Sequence, residues 1–381
     1  MADLTIMKES TARLHCTKVP TRFASTVWSI LLVSAMLIMA SCVTSPVKAP
    51  GVAPQALGRL SYRLDFSEAP LDVNAEGLSI TEGSLRLIPG TTSGVYESPI
   101  FTVPGFDWLV PSLDARASGE ARVALAIQVR VDGAWSEWLS FGVWGDEAKS
   151  AAKQSNAQGR VDIDTLLLYK AANGLRFRLE LTASEDRGDL PLVYSVTWVA
   201  RDRFAPPVAE PATYPETSIA MPPRSQMVED PAIAGKICSP TSLSMVLESL
   251  GSSMPTAEVA WLAYDAGAGI FGNWSFNVAR ASALGHPAHV DYLGSIGELA
   301  AELTKGKPVI ASVKYERGAI DGAAIESTSG HLLVVRGLAR RGEQWYVLVN
   351  DPAAADVAGV PREYLASQFK NAWTGVVYLF D

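Results

Sequence analysis

Residues 238–251 read Cys-Ser-Pro-Thr-Ser-Leu-Ser-Met-Val-Leu-Glu-Ser-Leu-Gly, and this stretch decides how the second half of the chain folds. Ser239 suits a helix N-cap, and Pro240 suits the first helical position, where its missing N–H has no helical partner to lose. Leu243, Val246, Leu247 and Leu250 recur at helical spacing, and Gly251 can close the helix. Cys238 therefore stands at the positive end of a helix dipole. That position favours thiolate over thiol, and the thiolate is the nucleophilic form. A cysteine serving only the core would more naturally lie in mid-helix on the apolar stripe.

Around this helix the pattern is α+β. Helical periodicity covers residues 241–250, 256–266, 275–284 and 296–303, and strand-like runs cover 308–315, 331–338, 345–349 and 375–380. His331 follows Gly330 and opens an apolar strand, and the next strand ends at Asn350-Asp351-Pro352. A hairpin centred on Arg341 would set His331 and Asp351 directly opposite one another, with Cβ atoms roughly 5 Å apart. A carboxylate so placed orients an imidazole and stabilises its protonated form. His286 and His289, in Gly-His-Pro-Ala-His, are read as a loop running into a strand at 289–293. Pro287 breaks helical presentation and no partner ligands accompany the pair, so no metal is expected.

Upstream, residues 204–225 are rich in proline and read as a linker, since such a stretch holds neither a helix nor a central strand. Residues 57–203 are mostly β. Strand-like runs at 61–66, 123–131, 135–144, 175–181 and 192–200, with a hairpin signal at Asp132-Gly133, suggest an all-β sandwich resembling a jelly roll. One helical segment is expected near 162–172. Trp135, Trp138 and Trp144 are expected to pack the core or the inter-domain face, with sugar or peptide binding as the competing reading.

Residues 1–41 read as a lipoprotein signal peptide. Arg13, Lys18 and Arg22 make a basic start, and the apolar run 27–40 is shorter than the roughly 20 residues of a membrane span. Met39-Ala40-Ser41-Cys42 resembles a lipobox, with Cys42 the residue that takes lipid, and residues 42–56 form a flexible tether. The chain has three cysteines, Cys16, Cys42 and Cys238. Cys16 would leave with the signal and Cys42 would carry lipid, so Cys238 remains unpaired in an exported chain, as a reactive thiol does. The formal net charge of −8 and the absence of any basic run argue against a nucleic-acid partner.

Gln226, twelve residues before Cys238-Ser-Pro-Thr-Ser-Leu-Ser-Met-Val-Leu, together with Gly306-Lys-Pro-Val-Ile, Gly330-His331 and Asn350-Asp351-Pro352, resembles the bacteriocin-processing peptidase-like family, family thirty-nine of the cysteine peptidases. The resemblance spans residues 226–381 and implies a papain-like cysteine peptidase domain without a cofactor. It implies Cys238 as nucleophile, His331 as general base, Asp351 as its orienting group, and Gln226 with the Cys238 N–H as oxyanion donors. The family usually carries Gly after the cysteine. Ser239 stands there, where a side chain could narrow the cleft. The implied chain is a cysteine hydrolase of the bacterial envelope, anchored to a membrane by its N-terminal lipid and acting on a peptide or protein, cell-wall peptide included. The alternative is a binding or scaffolding lipoprotein on a retired hydrolase fold.

Overall fold

The computed structural model describes residues 58–68, 75–185 and 188–381. The expected signal peptide, the expected lipid-bearing Cys42 and the expected tether all lie outside the described residues.

The first domain is β-rich and antiparallel throughout. Burial along Arg122–Val131 alternates almost residue by residue, as one face of a pleated strand requires. This strand turns back through Asp132 (φ 51°) and Gly133 (φ 82°), the left-handed pair of a type I′ hairpin. Two long strands, Phe101–Arg116 and Thr165–Thr182, bind the domain together, because each pairs with different neighbours along its length. Through them the strands join in one hydrogen-bonded network of 13, wrapped on one apolar core that includes Phe66, Phe101, Phe106, Phe177 and Trp198. The expected helix near 162–172 is strand instead. Residues 165–168 pair with 159–162 across a turn at Ile163-Asp164, and only the later part of that strand carried the sequence signal.

The second domain places helices against a seven-stranded antiparallel sheet. Six of its strands run in the spatial order Ala288–Tyr292, Trp373–Phe380, Val309–Tyr315, Thr328–Arg341, Gln344–Asn350 and Pro361–Leu365, and the seventh, Thr217–Ser218, pairs with Thr328–Arg341 off this path. The helices are α1 (Cys238–Ser249), α2 (Thr256–Leu262), α3 (Trp274–Ala283), α4 (Ile296–Leu303) and α5 (Ala366–Ala372). Helix α1 is buried from Ser239 to Leu247. It is rich in hydroxyls, each of which finds a partner: Thr241 on the Ile237 carbonyl, Ser242 on Leu332 and Ser244 on Thr241. Small satisfied side chains let the helix lie close on strand Thr328–Arg341 without a desolvation penalty.

The Pro-rich linker is a packed strap. Thr217 and Ser218 pair with Leu338 and Gly337, and a Cβ on Gly337 would meet the Thr217 carbonyl at 2.2 Å, so only glycine admits this approach. Glu210 accepts from the N–H groups of Ile296 and Gly297 at the start of α4 and pairs with Lys370. The strap carries the chain to Ser225 and Gln226, whose hydroxyl and N–H meet the carbonyls of Ala354 and Pro352.

The two domains share a core. Phe276 and Ala279 of α3 belong to the apolar cluster of the first domain. Trp108, Val110 and Val199 of the first domain pack in the cluster that holds Leu243, Val246 and Tyr378. Asp164 accepts from the N–H of Trp274 at 2.6 Å and so caps α3 from the other domain. In return, Asp265 of the second domain accepts from the N–H of Ser150 at 2.9 Å. Trp144 is buried at this face against Phe276 and beneath Arg280. Trp135 and Trp138 are half-buried in a ladder with Arg130, Arg176 and Arg178.

Candidate active site

Cys238 is the first residue of α1, two positions earlier than the cap reading placed the helix start. The N-cap is Ile237, which makes no side-chain capping bond. At this position the Cys238 N–H has no carbonyl four residues back within the helix. Ser239 does not cap the helix. Its hydroxyl turns inward to the Tyr378 hydroxyl at 2.9 Å, and both side chains are fully buried. The side chain that follows the cysteine therefore does not narrow a cleft.

His331 and Asp351 meet, but by a different register from the one expected. The hairpin turns at Gly342-Glu343, and Arg341 pairs with Gln344. A register shift at Arg336 then sets Val334 opposite Asn350, which brings Asp351 level with Leu333. The direct cross-strand pair is thus corrected to a diagonal one on the same face, because side chains two apart on a strand share a face. The contact is close: His331 Nε2 to Asp351 Oδ1 is 2.8 Å. Both residues are buried, at 3% and 0% exposure.

With Nε2 engaged by Asp351, Nδ1 is the ring nitrogen left for the hydrogen bond between His331 and Cys238. Burial pushes the Cys238 thiol up, but the His331 hydrogen bond and charge outweigh it, aided by the N–H groups of Leu332 and Ser239, and the thiol lies below its ordinary value. Burial would lower the His331 pKa, yet the Asp351 carboxylate beside it and the contact with Cys238 raise it to about 10. Asp351 resists the upward push of burial through His331, the Tyr364 hydroxyl and the Ala353 N–H, and lies below its ordinary value. The three groups together favour a thiolate, an imidazolium and a carboxylate in a row.

Gln226 is buried within a short 3-10 turn, Gln226–Val228. Its Nε2 donates to the Ala234 carbonyl at 2.7 Å, and its Oε1 has no partner among the described residues. The residue thus lies between Pro352, just after Asp351, and the turn leading into α1. Among the described residues, the other two histidines stay apart from the site. His286 hydrogen-bonds Ser252 at 2.7 Å, and His289 faces Asp381 at 3.4 Å. Among the described residues, no cluster of three or more His, Cys, Asp or Glu could hold a metal.

Two residues at the site had no clear sequence signal. Tyr364 donates to Asp351 Oδ2 at 2.7 Å from strand Pro361–Leu365, which was not foreseen. Tyr378, under Ser239, was placed on a strand, but nothing local marks its hydroxyl as a partner for the residue after Cys238.

Residues 218–379 match the family model described as the Peptidase_C39 like family, and residues 84–201 match the Peptidase C39 N-terminal domain. Among solved structures, a protein described as a C39-like peptidase from Bacillus anthracis aligns at 16% identity and a TM-score of 0.34, covering 44% of this chain and 98% of that one. The peptidase domain of Streptococcus ComA, a bifunctional ABC transporter involved in a quorum sensing pathway, aligns at 18% identity and a TM-score of 0.29, covering 42% of this chain and 96% of that one. A comparison with curated proteins gives no match. The chain thus carries a region that matches the Peptidase C39 N-terminal domain, followed by a C-terminal domain that matches the Peptidase_C39 like family.

Proposed function

We propose that the chain is a cysteine hydrolase of papain-like fold that cleaves peptide or amide bonds, with Cys238 as nucleophile, His331 as general acid and base, and Asp351 as the group that orients His331. One observation carries this reading. A single buried imidazole bridges a carboxylate at 2.8 Å and a thiol at the tip of a helix. The Cys238 thiolate attacks the carbonyl carbon, and the tetrahedral oxyanion is met by the Cys238 N–H and by a hydrogen of Gln226 Nε2. His331 gives its proton to the leaving amine, which departs as the C–N bond breaks. Water, deprotonated by His331, then releases the acyl group from sulfur and restores the thiol–imidazole pair. The proposed setting is the bacterial envelope, with the chain held to a membrane by lipid on Cys42.

The test is alkylation by iodoacetamide at neutral pH. Cys238 should react faster than a free thiol, and His331→Ala should abolish the excess rate. Incubation with a peptide library and, separately, with purified cell wall then divides the substrate classes, with Cys238→Ala as the inactive control. A second reading, a binding or scaffolding chain on a retired hydrolase fold, draws on Gln226, whose amide is engaged by Ala234. Labelling at the rate of a free thiol would favour it.

A further inference from the structure

We propose that Tyr364 is a positioning residue of this site: its hydroxyl holds Asp351 Oδ2 so that Oδ1 faces His331, and ties that carboxylate to the loop of residues 316–327. The proposal rests on the reading of Cys238, His331 and Asp351 given above.

Strand Pro361–Leu365 lies at the end of the sheet, paired with Gln344–Asn350. Tyr364 is its fully buried residue, at 1% exposure, and a buried phenol needs a partner for its O–H. It has two partners. It donates to Asp351 Oδ2 at 2.7 Å, and it accepts from the Ala324 N–H at 3.3 Å. The other carboxylate oxygen is taken by His331 Nε2 and the Ala353 N–H, so Tyr364 is the remaining side chain that fixes the carboxylate plane.

The loop that supplies Ala324 is fastened to the same strand and to α5. Arg362 donates to the Gly322 carbonyl at 2.6 Å, and Asp321 and Gln368 exchange hydrogen bonds at 3.1 and 2.9 Å. Tyr315 donates to the Ile325 carbonyl at 3.2 Å. The loop then runs into Thr328, whose hydroxyl accepts from the Gly330 N–H immediately before His331. The chain that leads into the imidazole strand and the carboxylate that orients the imidazole therefore meet at one phenol.

Without that hydroxyl, Asp351 Oδ2 would be a buried acceptor with no donor. The carboxylate would take up a proton nearer neutral pH and would no longer support the imidazolium. The readout is the pH profile of Cys238 alkylation by iodoacetamide, which needs no known substrate. In Tyr364→Phe the acid limb should move up by about one pH unit, so that alkylation on that limb is about tenfold slower, while the rate at alkaline pH is unchanged. A purely structural role would lower the melting temperature and leave the limb in place. Ala324→Pro removes the N–H that Tyr364 accepts and should move the limb the same way by a smaller step, about threefold in rate. This variant leaves the tyrosine in the core, so it carries the test if Tyr364→Phe does not fold. A wild-type limb that neither variant displaces overturns the assignment of Tyr364 alone. A wild-type Cys238 that titrates like a free thiol overturns the hydrolase reading, and the role of Tyr364 with it.

Discussion

His331 and Asp351 meet on a diagonal: Nε2 and Oδ1 are 2.8 Å apart although Asp351 is level with Leu333 in the hairpin. The imidazole therefore leans along its strand toward the carboxylate. Three donors converge on that carboxylate, the His331 ring, the Ala353 N–H and the Tyr364 hydroxyl.

Replacing the charge should disarm the thiol. Asp351→Asn offers one acceptor oxygen to those donors and no negative charge to the ring. Labelling of Cys238 by iodoacetamide at about pH 6 should slow at least about tenfold, because each unit lost from the imidazolium pKa is a factor of ten in the ion pair. The pH dependence has a defined sign. His331 is raised from 6.5 to about 10, so its contribution to stability is complete below 6.5 and is lost as pH rises through about 10. Urea midpoints of the wild type should fall over that alkaline range, and those of Asp351→Asn should fall less.

Ser239 anchors the start of α1 from below. Its hydroxyl is the partner of the buried Tyr378 hydroxyl. Ser239→Ala should cost roughly 1–3 kcal/mol in urea unfolding, the price of an unsatisfied buried hydroxyl. Adding Tyr378→Phe should recover most of that loss, which a double-mutant cycle measures. Additive losses would mean that the two hydroxyls do not interact.

Asp164 gives the opposite pH sign to a paired carboxylate. Burial pushes it from 3.8 to about 6, against the pull of the Trp274 N–H and the Thr165 hydroxyl. The folded chain thus prefers its protonated form, and stability is lost as pH rises from 3.8 through about 6. Asp164→Asn should be free of that loss. Its stability relative to the wild type should grow by an amount on the order of 3 kcal/mol between about pH 4 and pH 7. Parallel urea curves at the two pH values would show that Asp164 does not titrate there.

The second domain should not stand alone. A fragment of residues 204–381 would expose Phe276 and Ala279 of α3, which are buried in the cluster of the first domain, and would leave α3 without its Asp164 cap. A buried phenylalanine contributes roughly 1.5–3 kcal/mol and a cap about 1 kcal/mol. The fragment should bind a hydrophobic dye and unfold at lower urea than the whole chain. A fragment as stable as the whole would contradict the shared core.

Much of the second domain was legible because its signals are local. The apolar spacing after Cys238 and the strand runs around His331 fall where the elements lie. The helix cap was misread because Ser239 has two uses for a hydroxyl, and a tertiary partner, Tyr378, outcompeted the local one. The hairpin register was missed by the turn at Gly342-Glu343 and the shift at Arg336, which sequence symmetry about Arg341 does not reveal. The segment 162–172 read as helix, and it contains Leu166, Leu167 and Leu168 in a run without alternation. Their fate as strand is set by pairing with the distant strand Phe101–Arg116. Tyr364 left no trace because its role depends on a contact 13 residues away in sequence, between an outer strand and the end of its neighbour.

The cap that Asp164 places on α3 has a bearing on biosynthesis. Polypeptides emerge N-terminus first, and domains generally fold as units in that order. The β-rich domain, with the strained left-handed Ile163 that presents Asp164, is then finished while residues beyond it are still being added. It serves as a mould for α3, which brings Phe276 and Ala279 onto a surface already made to receive them.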